Sequence, residues 1–186
     1  MALTTLDPIT ALIVVDPQSG IVGLPLIHAI ADVVTHSGAL ATFRRRRPPV
    51  LLVNVDGGAP DRTERPCPGG PFPDGWTDLI PELDKQPNDI VVTKRTWDSF
   101  ASDLESRLKT RAQVAITGVA TATGVESTGR QASEAGFNVT LATDVTTDVR
   151  PDAHVYSIGN VFPRLGETGS TQSVIDLLEG RTHELA

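Results

Sequence analysis

The chain has 186 residues, of which 39% are hydrophobic, 21% charged and 4% aromatic. This fits one compact domain spanning residues 1–186, excludes a disordered tail or a fibre, and gives enough length for a full core without disulfide or metal staples. The formal net charge is −7, and the dense basic run Arg44 to Arg47 is too short and isolated to form a nucleic-acid footprint.

The single cysteine, Cys67, cannot make an internal disulfide. The N-terminus has neither the basic start nor the apolar core of a signal peptide, so a cytoplasmic location is expected. The apolar run Ala11 to Val15 is far short of the roughly 20 residues that cross a bilayer, and no membrane partner is expected.

In chain order, Ala11 to Val15 (ALIVV) is a continuous apolar run rich in β-branched residues, the pattern of a strand buried on both faces of a parallel sheet. Leu26, Ile30, Val33 and Leu40 then recur at helical spacing, with Pro25 suited to the first turn and Arg44 to Arg47 at the solvated last turn. Further strand-like runs follow at Val50 to Val55, Asp89 to Thr93, Gln113 to Thr117 and Asn138 to Ala142. Between them Ser102 to Lys109, Thr123 to Ala135 and Asp152 to Phe162 read as helices, and Ser170 or Thr171 can cap a last one ending near Leu178. This alternation is that of an α/β fold. Gly57 to Gly75 holds five Gly and five Pro in 19 residues, which predicts a long surface loop.

In open parallel sheets the ligand crevice lies beyond the carboxyl ends of the strands. The first strand ends at Asp16-Pro17-Gln18, the third at Lys94 followed by Trp97 and Phe100, and the fourth runs through Gly118-Val119-Ala120 into Thr123-Gly124. If the first and third strands are neighbours, Asp16 and Lys94 form a pair at one crevice edge. The turn after the fourth aims backbone N–H groups at the same crevice, where they can bind a carboxylate or an oxyanion. An ordinary turn with Thr123 as a cap has the same sequence pattern.

These segments, LIVVDPQSG at 12–20, VTKRTWDSF at 92–100, GVATATGVESTGRQASEAGFNVTLATD at 118–144 and VFPRLGET at 161–168, together resemble the isochorismatase-like hydrolase superfamily. The resemblance implies a three-layer αβα, Rossmann-like architecture with a six-stranded, mostly parallel sheet. It also implies a catalytic Asp16 and Lys94, a non-proline cis peptide between Val119 and Ala120, and a homo-oligomer whose neighbouring subunits help to close the site.

Most members carry a nucleophilic cysteine where this chain has Gly124. Cys67 lies in the Gly/Pro-rich loop, away from a helix N-terminus that would stabilise its thiolate. The nearby hydroxyls of Thr121, Thr123, Ser127 and Thr128 have no evident activating base. Members that resemble nicotinamidases bind a metal after the second strand through Asp and His. Here the stretch is Asn54-Val55-Asp56-Gly57-Gly58, and His28, His36, His154 and His183 lack metal-ligand spacing. No metal or cofactor is expected.

Isochorismatases proper resemble this chain in carrying glycine at the cysteine position, and they cleave a vinyl ether without a covalent intermediate. The resemblance therefore implies a small, anionic substrate, with Asp16 as general acid, Lys94 assisting and Gly124 leaving space. Gln18 is expected to hold a substrate carboxylate or hydroxyl, Trp97 and Phe100 to form an apolar wall, and Val119, Ala120 and Thr123 to contact substrate from the turn. Ala120 replaces the aromatic residue of isochorismatases there, and Arg62 and Arg65 of the loop are candidate anion partners. Two alternatives stand beside this reading: a C–N hydrolase with Asp16 as a base that activates water, and a binding member without turnover.

Overall fold

A computed structural model of the chain describes residues 3–7, 9–29, 33, 42–45, 49–58, 62–64, 72–108 and 111–180. Six strands form one sheet, β1 (Ala11–Val15), β2 (Val50–Val55), β3 (Ile90–Lys94), β4 (Gln113–Val119), β5 (Asn138–Thr147) and β6 (Glu167–Gly169). Their order is β3-β2-β1-β4-β5-β6 and every pairing is parallel. All five residues of β1 are buried, as its uninterrupted apolar sequence requires of a central strand covered on both faces.

Helices cover both faces. One layer holds α2 (Leu104–Arg107), α3 (Glu126–Glu134), α4 (Pro151–Tyr156) and α5 (Phe162–Leu165). Leu104, Ala132 and Phe162 from this layer pack on Ile13, Val15, Val53, Val92 and Ile116. On the opposite face Phe43, Ile80, Leu83 and Val174 pack against Leu12, Val14, Leu52 and Ala115. Val174 lies on α6 (Thr171–Leu178), whose N-terminus is capped by the Ser170 hydroxyl accepting from the Ser173 N–H, as the sequence leads one to expect. A short α1 (Ser19–Val22) follows the first strand tip.

Several expectations need adjustment. The helix expected over Thr123 to Ala135 begins with a π-helical turn at Thr121–Val125 before α3, and the one expected over Asp152 to Phe162 is split by a second such turn at Ser157–Val161. Strand β5 runs five residues past the predicted Ala142, because Val145 and Thr146 continue into buried positions. Most of the helix predicted from Leu26 to Leu40 lies outside the described residues, as do Cys67, Arg65, Arg46, Arg47, His36 and His183. Arg44 is not a freely solvated helix end: it bonds the Leu83 carbonyl and pairs with Asp89. Among the described residues no helix is long and apolar enough to cross a membrane.

The strand order places the site. From β1 the chain builds outward to β2 and β3, then returns to add β4, β5 and β6 on the other side. The reversal between β1 and β4 leaves a crevice beyond their carboxyl ends, and Asp16 and the turn after Val119 both sit there.

Candidate active site

Asp16 leaves β1 with φ +49°, a left-handed conformation that Asp tolerates better than most residues. Its carboxylate is buried, and the Lys94 ammonium lies 3.0 Å from Oδ2. The other oxygen, Oδ1, is buried without a hydrogen-bond partner. Burial raises the Asp16 pKa from 3.8 to about 6, against the opposing pull of the Lys94 charge and hydrogen bond. The group therefore titrates near neutrality, the range in which a carboxyl can carry and release a proton.

Strands β1 and β3 are not neighbours; β2 lies between them. Two strand spacings amount to about 10 Å, and the long Lys94 side chain crosses that gap above Val55, its register partner on β2. The ammonium is also fixed from its own loop, donating to the Trp97 carbonyl at 2.7 Å.

The turn beyond β4 completes the arrangement. The Val119–Ala120 peptide is cis, at the position the sequence resemblance implies. A Cβ placed on Gly124 would lie 3.1 Å from Asp16 Oδ2 and 2.9 Å from Val15 Cγ1. The absent side chain therefore points at the Asp16 carboxylate. The turn is held from behind by Asp148, whose Oδ2 accepts from the Ala122 N–H at 2.8 Å and Oδ1 from the Arg150 N–H at 3.0 Å. The buried Thr121 hydroxyl bonds Thr146 Oγ1 at 2.9 Å and His154 Nδ1 at 2.8 Å. His154 thus supports the turn, and burial beside His28 lowers its pKa.

Asp16, Lys94, Gly124 and Val119 converge, then, and Ala120 and Thr123 lie on the same turn. One expected contact does not take the role first assigned to it. Gln18 is fully buried; its Oε1 accepts from the Val55 N–H at 2.6 Å and its Nε2 donates to the Val55 carbonyl at 2.9 Å. That side chain completes the edge of β2 and has no amide group left to hold a ligand. The Phe100 ring is partly buried and packs on the core beside Phe137, at 5.8 Å between centroids. Trp97 contributes its carbonyl to Lys94, and the residue is 70% exposed. Asp56, which the resemblance ties to metal binding in other members, pairs with Arg95 at 2.9 Å.

Asp56 and Arg95 also border an open cleft of about 570 Å³ beyond the ends of β2 and β3, which Phe72 and Asp74 line as well. Residues 76–80 dock against the first strand tip through the Gly20 N–H to the Trp76 carbonyl and the Ile80 N–H to the Pro17 carbonyl. Arg62 is exposed. The sequence reading did not single out Ser99, the Trp97 carbonyl or Asp148. Asp148, one residue past β5, was detectable by the same strand-end rule that found Asp16.

Comparison with known proteins agrees with this fold. The isochorismatase domain model matches residues 10–173. An uncharacterised isochorismatase family protein of Escherichia coli O157:H7, YecD, is 35% identical over 183 residues, covering 91% of this chain and 96% of that protein. An isochorismatase family protein from Burkholderia thailandensis has a structure that superposes with a TM-score of 0.88 at 36% identity, covering 94% of this chain and 98% of that one. The ureidoacrylate amidohydrolase RutB of Variovorax paradoxus is 35% identical over 96 residues, 47% of this chain and 38% of that enzyme. The chain belongs to the isochorismatase family and is a hydrolase.

Proposed function

We propose that this hydrolase cleaves a small anionic vinyl ether, isochorismate or a close relative, without a covalent intermediate. The observation that carries the reading is the asymmetry of Asp16: Lys94 occupies Oδ2, Oδ1 faces no protein partner, and glycine stands at 124 where a nucleophile would otherwise meet the carboxylate. In the reaction, Asp16 transfers its proton to the terminal vinyl carbon and the adjacent ether carbon becomes an oxocarbenium centre. Water adds to that centre and returns a proton to Asp16. The resulting hemiketal collapses to pyruvate and the freed alcohol. Lys94 stabilises the carboxylate formed at the moment of proton loss. The chain acts as one catalytic domain, assembled as a homo-oligomer in the cytoplasm, and needs no cofactor.

A second reading is favoured by the partial similarity to an amidohydrolase. In it, ionised Asp16 takes a proton from water, which attacks an amide carbonyl polarised by the turn amides.

The deciding experiment is pyruvate release from isochorismate by the purified protein, run beside a panel of small amides, with Asp16→Asn as control. Pyruvate release that the substitution abolishes is the expected result. Asp16-dependent release from an amide alone would replace the first reading with the second, and silence on every substrate would overturn both.

A further inference from the structure

The ammonium of Lys94 is held at two points, and the second is anchored further away. The Trp97 carbonyl that receives it at 2.7 Å belongs to a tightly turned segment in which the Thr96 hydroxyl donates to the Asp98 carbonyl and the Ala101 N–H to Asp98 Oδ1. That segment ends at Ser99, which is fully buried. The Ser99 N–H donates to Thr128 Oγ1 at 3.2 Å, and the two hydroxyls are 2.9 Å apart. Thr128 is itself fully buried on α3, four residues after Gly124 of the π-helical turn that leads into that helix. Gly124 in turn faces Asp16 Oδ2. The contacts link Asp16, Lys94, the Trp97 carbonyl, Ser99 and Thr128, and the π-helical turn that leads into α3 brings Gly124 back to face Asp16.

Hydroxyl pairs buried under a loop are commonly structural, but this one joins the segment that aims the Lys94 acceptor to the helix that carries the facing turn. We propose that Ser99 and Thr128 are positioning residues that hold the Lys94 ammonium against Asp16 Oδ2. They act through Lys94 and touch no substrate. The proposal deepens the functional reading above and rests on its assignment of Asp16 as the proton carrier.

Among the described residues Lys94 is the charge in contact with Asp16. Asp56 at the end of β2 is paired with Arg95, Glu126 of α3 with Arg130 and the Ser157 hydroxyl, and Asp148 after β5 with main-chain N–H groups. Displacing the ammonium removes the interaction that opposes burial, so the Asp16 titration moves upward.

The test follows the Asp16 carboxyl by carbon-13 NMR titration of the full chain, assigned with Asp16→Asn and run without substrate. It thus fails or succeeds independently of the proposed reaction. Lys94→Met raises the midpoint most. Thr128→Val, which keeps shape and removes the hydroxyl, raises it by about half a unit or more, and Thr128→Ser restores it. Ser99→Ala, which retains the backbone donor, raises it less and decides the matter if Thr128→Val does not fold. A midpoint unmoved in Thr128→Val, or in Ser99→Ala where that variant decides, overturns the proposal, as does an unmoved midpoint in Lys94→Met.

Discussion

The Lys94 ammonium meets one oxygen of Asp16 and leaves the other bare, with Nζ 3.0 Å from Oδ2 and Oδ1 unpartnered in a buried position. A symmetric, fully satisfied ion pair would hold the carboxylate ionised and idle. The one-sided contact leaves enough of the burial penalty standing to keep the acid within reach of neutral pH.

The first prediction concerns the pH dependence of turnover. In the vinyl-ether cleavage proposed above the protonated form of Asp16 is the reactive one, so kcat/KM is expected to fall as pH rises through about 6. An initial-rate profile from pH 4.5 to 8 checks this. A rate that instead falls as pH drops through the same value identifies Asp16 as a base.

The same shift affects stability. The Asp16 pKa is 3.8 in a solvated chain and about 6 in the fold. The folded state therefore binds the proton more tightly, and its stability declines as pH rises between those values, by about 3 kcal/mol for this one group. Asp16→Asn has no such titration. Thermal melts of the two proteins are expected to show the Tm of Asp16→Asn gaining on the parent between pH 4 and 6.5, and parallel curves would contradict the assigned shift.

Gly124→Ala tests the space beside the acid. The new methyl would sit 2.9 Å from Val15 Cγ1 and 3.1 Å from Asp16 Oδ2. Both are closer than ordinary packing allows, so the carboxylate or the turn must move. The expected outcome is a drop in turnover of about tenfold or more with a stability loss of about 1–3 kcal/mol. Unimpaired kinetics would remove Gly124 from the site.

Gln18→Leu separates frame from function. It strips the partners from the Val55 N–H and carbonyl, at a cost of about 2–4 kcal/mol for two main-chain groups left unpaired. A Tm lowered by several degrees, with KM little changed in the protein that remains folded, is expected. A large rise in KM at unchanged Tm would return Gln18 to ligand binding.

The strand tips carried most of what sequence could reveal. Asp16 follows the buried run of β1, Lys94 ends β3 and Gly124 lies in the turn beyond β4, and a residue at the end of a parallel strand has few places to point. Gln18 misled because a polar side chain near a crevice looks the same in sequence whether it meets a ligand or a neighbouring main chain. The separation of β1 from β3 was hidden for a related reason: periodicity identifies strands but not their order. Strand β6 spans three residues, too few to show a pattern, and the Ser99–Thr128 pair depends on tertiary proximity that no spacing encodes.

Strand β3 is one edge of the sheet, with Val91 and Thr93 exposed along one side. Edge strands exchange their amide hydrogens early and open locally at lower free energy than central ones. The ammonium that tunes the central acid is thus delivered from the periphery. Mild denaturant would disconnect the pair before the core lets go, so loss of turnover should precede loss of the global fold.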